Sequence, residues 1–127
     1  MKYPKFLLLF SFLFLSFQAL SQTWTQLGSN VNGINENDYF GYGVALSADG
    51  NTVAIGARYS DESGFDSGQV RIYRFVDGSW SQLGTDIYGE AAGDRVGYVS
   101  LSADGSTVAI GAYENDGNGI DSGHVRI

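Results

Sequence analysis

The sequence predicts an all-β protein made of repeated four-stranded antiparallel sheets, and three observations support this fold class. The stretch Leu46–Ala57 returns as Leu101–Ala112 with a single change, Asn51 to Ser106. Short runs of strand-forming residues are separated by turn signals, and the chain holds 18 glycines. No segment of residues 22–127 has the apolar periodicity of a helix.

The repetition extends well beyond this stretch. Trp24-Thr-Gln-Leu-Gly28 matches Trp80-Ser-Gln-Leu-Gly84 at an offset of 56 residues, and from Leu46 onward the offset is 55. Val70-Arg-Ile72 therefore corresponds to Val125-Arg-Ile127. A fixed period of this length indicates a repeat architecture, in which each unit buries its faces against its neighbours.

Each strand of the first unit is predicted from its own pattern, and turns connect them. Asp49-Gly50 and its copy Asp104-Gly105 predict two-residue type I′ turns, and Asp77-Gly78 predicts another hairpin turn. The second strand is apolar or small on both faces, so Ala54 and Gly56 would let neighbouring sheets approach closely. The predicted strands are Phe40–Ser47, Thr52–Ala57, Gln69–Phe75 and Trp80–Leu83.

Four antiparallel strands in about 55 residues are typical of one blade of a β-propeller. We predict an outer strand and linker at 22–39, a complete blade at 40–83, and a linker with a second, truncated blade at 84–127. Trp24–Leu27 has an outer-strand sequence with no inner strands before it, and it could complete a blade made by the other terminus. Because a closed ring needs about 4–8 blades, we expect an N-terminal fragment whose partners include the remaining blades of the full-length chain.

Residues 1–21 are predicted to be a secretory signal peptide. Lys2 and Lys5 give a positive start, Phe6–Phe17 is nearly all apolar, and Ala19-Leu-Ser21 has the small-x-small pattern of a cleavage site. The alternative is a membrane anchor, but polar residues end the apolar run too early for a span of roughly 20 residues. The sequence therefore predicts a secreted or cell-surface protein with no membrane span after cleavage.

Charge excludes some classes of partner. Both lysines lie in the predicted signal, so the net charge of −7 becomes −9 without it, from five arginines against 14 acidic residues. An acidic surface of this kind argues against binding nucleic acid or anionic lipid. The chain has no cysteine, so no disulfide contributes to its stability.

The motifs resemble FG-GAP repeats, the blades of the integrin-α propeller and of many bacterial surface proteins. Phe40-Gly41 stands where that family has Phe-Gly, and Gly56-Ala57 stands where it has Gly-Ala-Pro. The sequence is most similar to a bacterial variant that carries Leu-Ser-Ala-Asp-Gly and ends in Val-Arg-Ile. The resemblance implies an extracellular propeller that binds ligands through its loops.

Three positions depart from the family pattern. Arg58 and Tyr113 replace the proline, and Val96 replaces the phenylalanine in the second copy. The calcium loop of the integrin-type repeat is missing, because Ser47–Asn51 fills its place with one carboxylate. The resemblance therefore does not imply a calcium site at that loop.

Calcium could instead bind in the glycine-rich loops before the third strand. Calcium takes 6–8 oxygen ligands, which is more than either loop offers. The alternative is that Asp66 and Asp121 form turns into the third strand, completed by a Ser-Gly pair. No metal is assigned, and the weak calcium candidates are Asp61, Asp66, Asp116 and Asp121, with Ser63 and Asn118 beside them.

Other residues have a structural and a functional interpretation. Arg71 and Arg126 recur at one strand position, either as a row of binding cations or, as we prefer, as partners of acidic residues on a neighbouring strand or blade. His124 replaces Gln69 and is not required by the repeat. The two tryptophans, Trp24 and Trp80, are expected to pack on outer strands and would stack on sugars only if exposed.

The sequence predicts an exported, non-enzymatic module that binds a protein or a glycan at the cell surface, in adhesion. No catalytic and no cofactor-binding residue is assigned, because no known catalytic motif occurs. The alternatives are the propeller domain of a larger secreted enzyme, such as a polysaccharide hydrolase, and a calcium-stabilised propeller. The ligand is not specified, because function in such a fold lies in its loops.

Overall fold

A computed structural model of the chain describes residues 23–127. The predicted signal peptide, residues 1–21, lies outside the described residues. Regular structure in the described part consists of eight strands and no helix, so none of it includes a helix long and apolar enough to cross a membrane. The strands are β1 (Phe40–Leu46), β2 (Thr52–Ala57), β3 (Gln69–Val76), β4 (Ser79–Gln82), β5 (Ile87–Tyr88), β6 (Tyr98–Leu101), β7 (Val108–Ala112) and β8 (His124–Arg126).

The strands form two antiparallel sheets, which confirms the all-β prediction. The first sheet has the order β1-β2-β3-β4, and β5 pairs with the start of β3 beyond the end of β4. The second sheet has the order β6-β7-β8. The observed ends of β1 to β4 differ from the predicted ends by at most one residue. Each sheet has the strand order and antiparallel pairing of a propeller blade.

The turn prediction holds at one hairpin and is wrong at two. Asp77 and Gly78 both have positive φ, 49° and 84°, as a type I′ turn requires. In the turn between β1 and β2 the left-handed residue is Gly50, with φ of 74°, and Asp49 is not left-handed. The Asp49 carboxylate instead accepts hydrogen bonds from Ser47 Oγ at 2.6 Å and from the Asn51 amide at 3.0 Å. These bonds require a longer loop than two residues, so aspartate serves here as an acceptor.

The second sheet repeats the serine and backbone-amide hydrogen bonds of this loop. Asp104 accepts from Ser102 Oγ at 2.6 Å and from the Ser106 amide at 3.1 Å. The hydrogen bond from Ser102 is the main reason that the pKa of Asp104 falls to about 2. The repeated Ser-Ala-Asp-Gly segments therefore build the same hydrogen-bonded loop in both sheets.

A β-bulge in β1 explains why the repeat offset changes. Gly43 pairs with Gly56, and Tyr98 pairs with Gly111, so the offset of 55 already applies at Gly43. The extra residue of the first copy lies in the irregular part of β1, between Phe40 and Gly43. The bulge therefore places Tyr42 at a different strand position from Tyr98, its counterpart in the aligned second copy.

The two sheets meet backbone to backbone. A methyl group built on Gly43 or on Gly56 would overlap the carbonyl oxygen of Gly97, the residue just before β6. The close approach expected at Gly56 is therefore confirmed. Beside this contact Val70 of the first sheet and Val96 of the second have no exposed surface. Burying one such side chain contributes about 1.5–3 kcal/mol.

The predicted outer strand Trp24–Leu27 forms no strand in this structure. Residues 23–39 pair with no strand of the described part, and a strand is stable only beside a partner that takes up its backbone hydrogen bonds. Trp24 is 90% exposed. Trp80 packs on Phe75 with ring centroids 5.3 Å apart and donates its Nε1 proton to the Leu27 carbonyl at 2.9 Å.

One carboxylate, Asp86, joins the outer strands to β3. The short strand β5 lies in the linker predicted before the second blade, and the sequence pattern did not predict it. Asp86 lies between β4 and β5 and accepts hydrogen bonds from Arg71 Nε at 3.0 Å, Gln69 Nε2 at 2.6 Å and Gln82 Nε2 at 2.5 Å. The Arg71 side chain is only 6% exposed, so the structural interpretation of this arginine is confirmed.

The surroundings of Asp86 stabilise its charged form. Burial acts to raise the pKa of Asp86, but the hydrogen bonds from Gln82 and Arg71 outweigh it and hold that pKa below the usual carboxyl range. The contribution to stability is therefore present above the ordinary pKa of a carboxyl group and is lost as the pH falls through the lowered value.

We predict that Asp86→Ala lowers the free energy of unfolding at pH 7 by about 2–3 kcal/mol, because it leaves the buried Arg71 guanidinium without its partner. Urea unfolding at pH 7 and pH 3 measures this. Asp86→Asn should flatten the loss of stability at low pH. The matched control is Asp77→Asn, at an exposed turn carboxylate, and an equal change in both asparagine variants would contradict the assignment.

Candidate functional site

The long loops gather at one end of the two sheets, where β2 and β7 finish; we call this the loop end. Arg58 follows the last residue of β2, and Tyr113 follows the last residue of β7. β1 and β6 begin at the same end because they run antiparallel to these strands. The loop end therefore brings residues from four strand termini together across the boundary between the sheets.

At this boundary an arginine is surrounded by aromatic rings. The guanidinium carbon of Arg58 lies 5.1 Å from the ring centroid of Tyr42 and 5.0 Å from those of Tyr59 and Tyr113. Arg58 also donates hydrogen bonds to Tyr42 Oη at 2.9 Å and to Tyr113 Oη. A cation held over several ring faces is attracted by their quadrupoles. With Tyr98, described next, these residues form what we call the tyrosine–arginine cluster.

Tyr98 completes the cluster from the second sheet. Its hydroxyl lies 2.9 Å from that of Tyr42, and its ring meets the rings of Tyr42 and Tyr113 edge to face at 5.4 and 5.8 Å. Tyr42, Tyr98 and Tyr113 remain 41%, 49% and 38% exposed. The cluster therefore links the two sheets and at the same time presents three aromatic side chains to solvent.

The hydroxyl pair is electrostatically polarised. The hydrogen bond with Tyr98 lowers the pKa of Tyr42, and Arg58 lowers it further. The same hydrogen bond raises the pKa of Tyr98. Either hydroxyl can donate in this hydrogen bond. The Tyr42 oxygen accepts from Arg58 and is also hydrogen-bonded with Tyr98, which holds its ring in place.

A second arginine extends the network. Arg95 bridges Asp66 of the first sheet's loop, at 3.3 Å, and Glu114 of the second sheet's loop, at 2.8 Å. Burial acts to lower the pKa of Arg95, but Glu114 and Asp66 outweigh it and raise that pKa. Glu114 also lies 3.9 Å from Arg58. These ion pairs therefore join the two sheets at the same boundary as the aromatic contacts.

An acidic groove of about 540 Å³ lies beside the cluster. Tyr59 borders both features, and its ring meets the exposed Tyr39 ring at 5.3 Å. Asp38 of the groove also accepts a hydrogen bond from Asn35 Nδ2 at 3.2 Å, and Asn35 Nδ2 donates to Glu62 at 2.9 Å. The lining residues are Glu36, Asn37, Asp38, Tyr39, Tyr59, Asp61, Phe65 and Asp66.

The four calcium candidates have structural roles within their own loops. Asp61 Oδ1 accepts from the Asp66 amide at 2.7 Å, and Asp116 Oδ1 accepts from the Asp121 amide at 2.8 Å. Asp66 and Asp121 have φ of 50° and 53° at the turn into the third strand of each sheet. The structure does not bring the two pairs into one site, and within residues 23–127 no group of three or more acidic or histidine side chains is arranged for a metal ion.

The remaining candidates have packing or pairing roles. Arg126 donates to the Tyr88 carbonyl at 2.5 Å and lies 4.0 Å from Glu90. His124 Nδ1 lies 3.9 Å from Glu90. The pairing interpretation of the repeated arginines therefore applies to both copies.

Sequence reasoning missed the tyrosine–arginine cluster. The only available signal was that Arg58 and Tyr113, equivalent in the repeat, both replace the family's proline, and these two departures contact each other in the structure. The meeting of Tyr42 with Tyr98 depends on the bulge in β1, which alignment of the repeats could not place.

Comparison with known proteins supports the resemblance given by the motifs. Residues 32–73 match the family described as FG-GAP repeat, a span that covers β1, β2 and the first half of β3. Phe40-Gly41 and Gly56-Ala57 lie within it. No curated protein matches the chain, and no solved structure matches it.

We predict that Arg58→Ala lowers the free energy of unfolding by about 1–3 kcal/mol, because three cation–π contacts and two hydrogen bonds are lost, and those to Tyr113 cross the sheet boundary. Urea unfolding followed by tyrosine fluorescence measures the change. The matched control is Arg74→Ala, an exposed arginine on β3. Equal stability of the two variants would show that the cluster does not link the sheets.

We also predict that millimolar calcium leaves the melting temperature of the chain unchanged. A ligand that binds the native state raises that temperature, but Asp61 and Asp116 are already hydrogen-bonded within their loops. Thermal unfolding with calcium and with a chelator tests this. Asp61→Asn should lower the melting temperature equally in both conditions, and a calcium-dependent rise abolished by this variant would refute the prediction.

Proposed function

We propose that this chain, which contains an FG-GAP repeat at residues 32–73, is an exported, non-enzymatic module that binds a protein or glycan ligand through its loop end. The FG-GAP repeat indicates a propeller-type domain of a kind that is often extracellular. The observation that carries the proposal is the tyrosine–arginine cluster, in which Arg58 holds two partly exposed tyrosines, Tyr42 and Tyr113, and the third, Tyr98, packs on both.

Rigid exposed tyrosines are well suited to binding. A tyrosine offers a large amphipathic surface and loses little conformational entropy on contact with a partner. Here much of that entropy is already lost in the free protein, because Arg58 and the neighbouring rings restrain Tyr42 and Tyr113. Contacts made by a ligand with these rings would then contribute directly to affinity, because little free energy is needed to order the site.

The charge of the loop end favours certain ligands. The adjoining groove is lined by the carboxylates of Glu36, Asp38, Asp61 and Asp66. Such a surface attracts ligands with basic groups or with many hydroxyl groups, and it repels polyanions. This supports a protein or neutral glycan partner, as in adhesion at a cell surface.

Export is supported by the sequence pattern of residues 1–21, which combines two lysines, an apolar run and a small-x-small cleavage site. A chain without cysteine also needs no disulfide chemistry to fold after export. We therefore place the module outside the cell or on its surface.

The proposal predicts that purified chain binds at least one member of a panel of immobilised collagen, cellulose and chitin, and that Tyr98→Ala weakens this binding by on the order of tenfold. Surface plasmon resonance measures the affinity, and circular dichroism checks that the variant is folded. The matched control is Ile120→Ala, a large apolar residue that is 90% exposed at the same end, in the loop after β7, but outside both the cluster and the groove.

Two results would count against the proposal. Equal loss of affinity in Tyr98→Ala and Ile120→Ala would show that the cluster is not the binding surface. Release of soluble sugars from the polysaccharides would favour the alternative, the propeller domain of a secreted hydrolase.

A further inference from the structure

Tyr42 and Tyr98 place two phenol groups in direct contact across the boundary between the sheets. Their hydroxyl oxygens lie 2.9 Å apart, and their ring centroids lie 5.4 Å apart at an interplanar angle of 77°. When a tyrosine loses an electron and a proton, the unpaired electron is shared between the oxygen and the ring carbons ortho and para to it. Each ortho carbon adjoins the carbon that bears the hydroxyl, so the contact of the two oxygens brings ortho carbons of the two rings close together.

The hydroxyl contact distinguishes this pair from the other tyrosine pairs. The rings of Tyr39 and Tyr59 lie 5.3 Å apart and those of Tyr98 and Tyr113 lie 5.8 Å apart, both edge to face. Among residues 23–127, however, a hydrogen bond between two tyrosine hydroxyls joins Tyr42 and Tyr98 alone. Ring proximity is therefore shared by several tyrosines, whereas proximity of the ortho positions is specific to one pair.

The pair is also restrained and accessible. Tyr42 Oη accepts a hydrogen bond from Arg58 at 2.9 Å, which keeps the ring beside Tyr98. The two tyrosines are 41% and 49% exposed, so a soluble oxidant can reach both rings. The hydrogen bond with Tyr98 lowers the pKa of Tyr42, and Arg58 lowers it further, which favours release of the phenolic proton during oxidation.

We propose that Tyr42 and Tyr98 are an oxidative cross-linking site, at which a haem peroxidase and hydrogen peroxide join the two sheets through a dityrosine bond. Each phenol loses one electron and its hydroxyl proton and becomes a phenoxyl radical. The two radicals form a carbon–carbon bond between their ortho carbons, and the hydrogen on each of these carbons moves to the oxygen of its own ring. One hydrogen peroxide accepts the two electrons and two protons and becomes two water molecules.

The bond would tie β1 to β6 between residues 56 positions apart in the chain. A cross-link that closes a loop of this length restricts the unfolded chain and so stabilises the folded one. The chain has no cysteine, so it has no disulfide that could serve this purpose. The inference concerns the covalent chemistry of the pair and does not depend on the ligand proposed above.

The test treats the dilute, purified chain with a haem peroxidase and equimolar hydrogen peroxide. Dityrosine fluorescence should appear in the monomer fraction, with a loss of two hydrogens from the molecular mass. Trypsin cuts after Arg58 and Arg95, so Tyr42 and Tyr98 lie in separate peptides, and mass spectrometry should find these two peptides joined at the two tyrosines. The melting temperature of the cross-linked monomer should rise by on the order of 10 °C.

Two phenylalanine variants distinguish the hydroxyl contact from ring proximity. Tyr98→Phe keeps the ring but should lower the yield of cross-linked monomer by on the order of tenfold, because no other pair is held in the coupling geometry. The matched control is Tyr39→Phe, which removes a hydroxyl from a ring pair of similar separation and should leave the yield unchanged.

Three results would overturn the proposal. The first is an absence of dityrosine in the monomer while free tyrosine couples under the same conditions. The second is a cross-link that maps to Tyr39 and Tyr59 or forms only between molecules. The third is an equal yield in Tyr98→Phe and Tyr39→Phe.

Discussion

The structure depends on the close approach of two sheet backbones at Gly97. Two glycines of the first sheet, Gly43 and Gly56, lack the side-chain carbon that would otherwise hold the second sheet away. This approach allows Val70, Val96 and Ile110 to form one buried cluster between the sheets. It also sets the distance between Arg58 and Tyr113, so the candidate site follows from the packing of glycines below it.

Carboxylates in this protein serve largely as internal acceptors. Asp49 and Asp104 hold one pair of loops, Asp61 and Asp116 hold another pair, and Asp86 joins the outer strands to a buried arginine. An acidic composition alone would have suggested cation binding. The hydrogen bonds show that much of the repeated acidic pattern stabilises turns, because a short side-chain acceptor satisfies amides that the strands leave unpaired.

Residues that repeat and residues that differ have separate roles. The repeated Leu-Ser-Ala-Asp-Gly and Asp-Ser-Gly segments build the same loops in both sheets. The loop-end pairs Arg58/Tyr113 and Tyr59/Glu114 differ between the copies, and Arg58 contacts both Tyr113 and Glu114 across the boundary. The residues that differ between the copies therefore give adjacent sheets complementary groups. They lie in loops, where a ligand-binding surface can vary without disturbing the strands.

The sequence by itself determined the all-β fold, the bounds of four strands and the close approach at Gly56, because these follow from short-range composition and from the repeat period. The sequence did not determine the turn geometry at Asp49, because aspartate is compatible both with a left-handed turn and with a hydrogen-bonded loop. The tertiary structure alone decided the bulge in β1, the pairing of β5 and the meeting of Tyr42 with Tyr98. Each of these joins residues distant in the chain, and their contacts depend on how two sheets are placed in space and not on any local pattern.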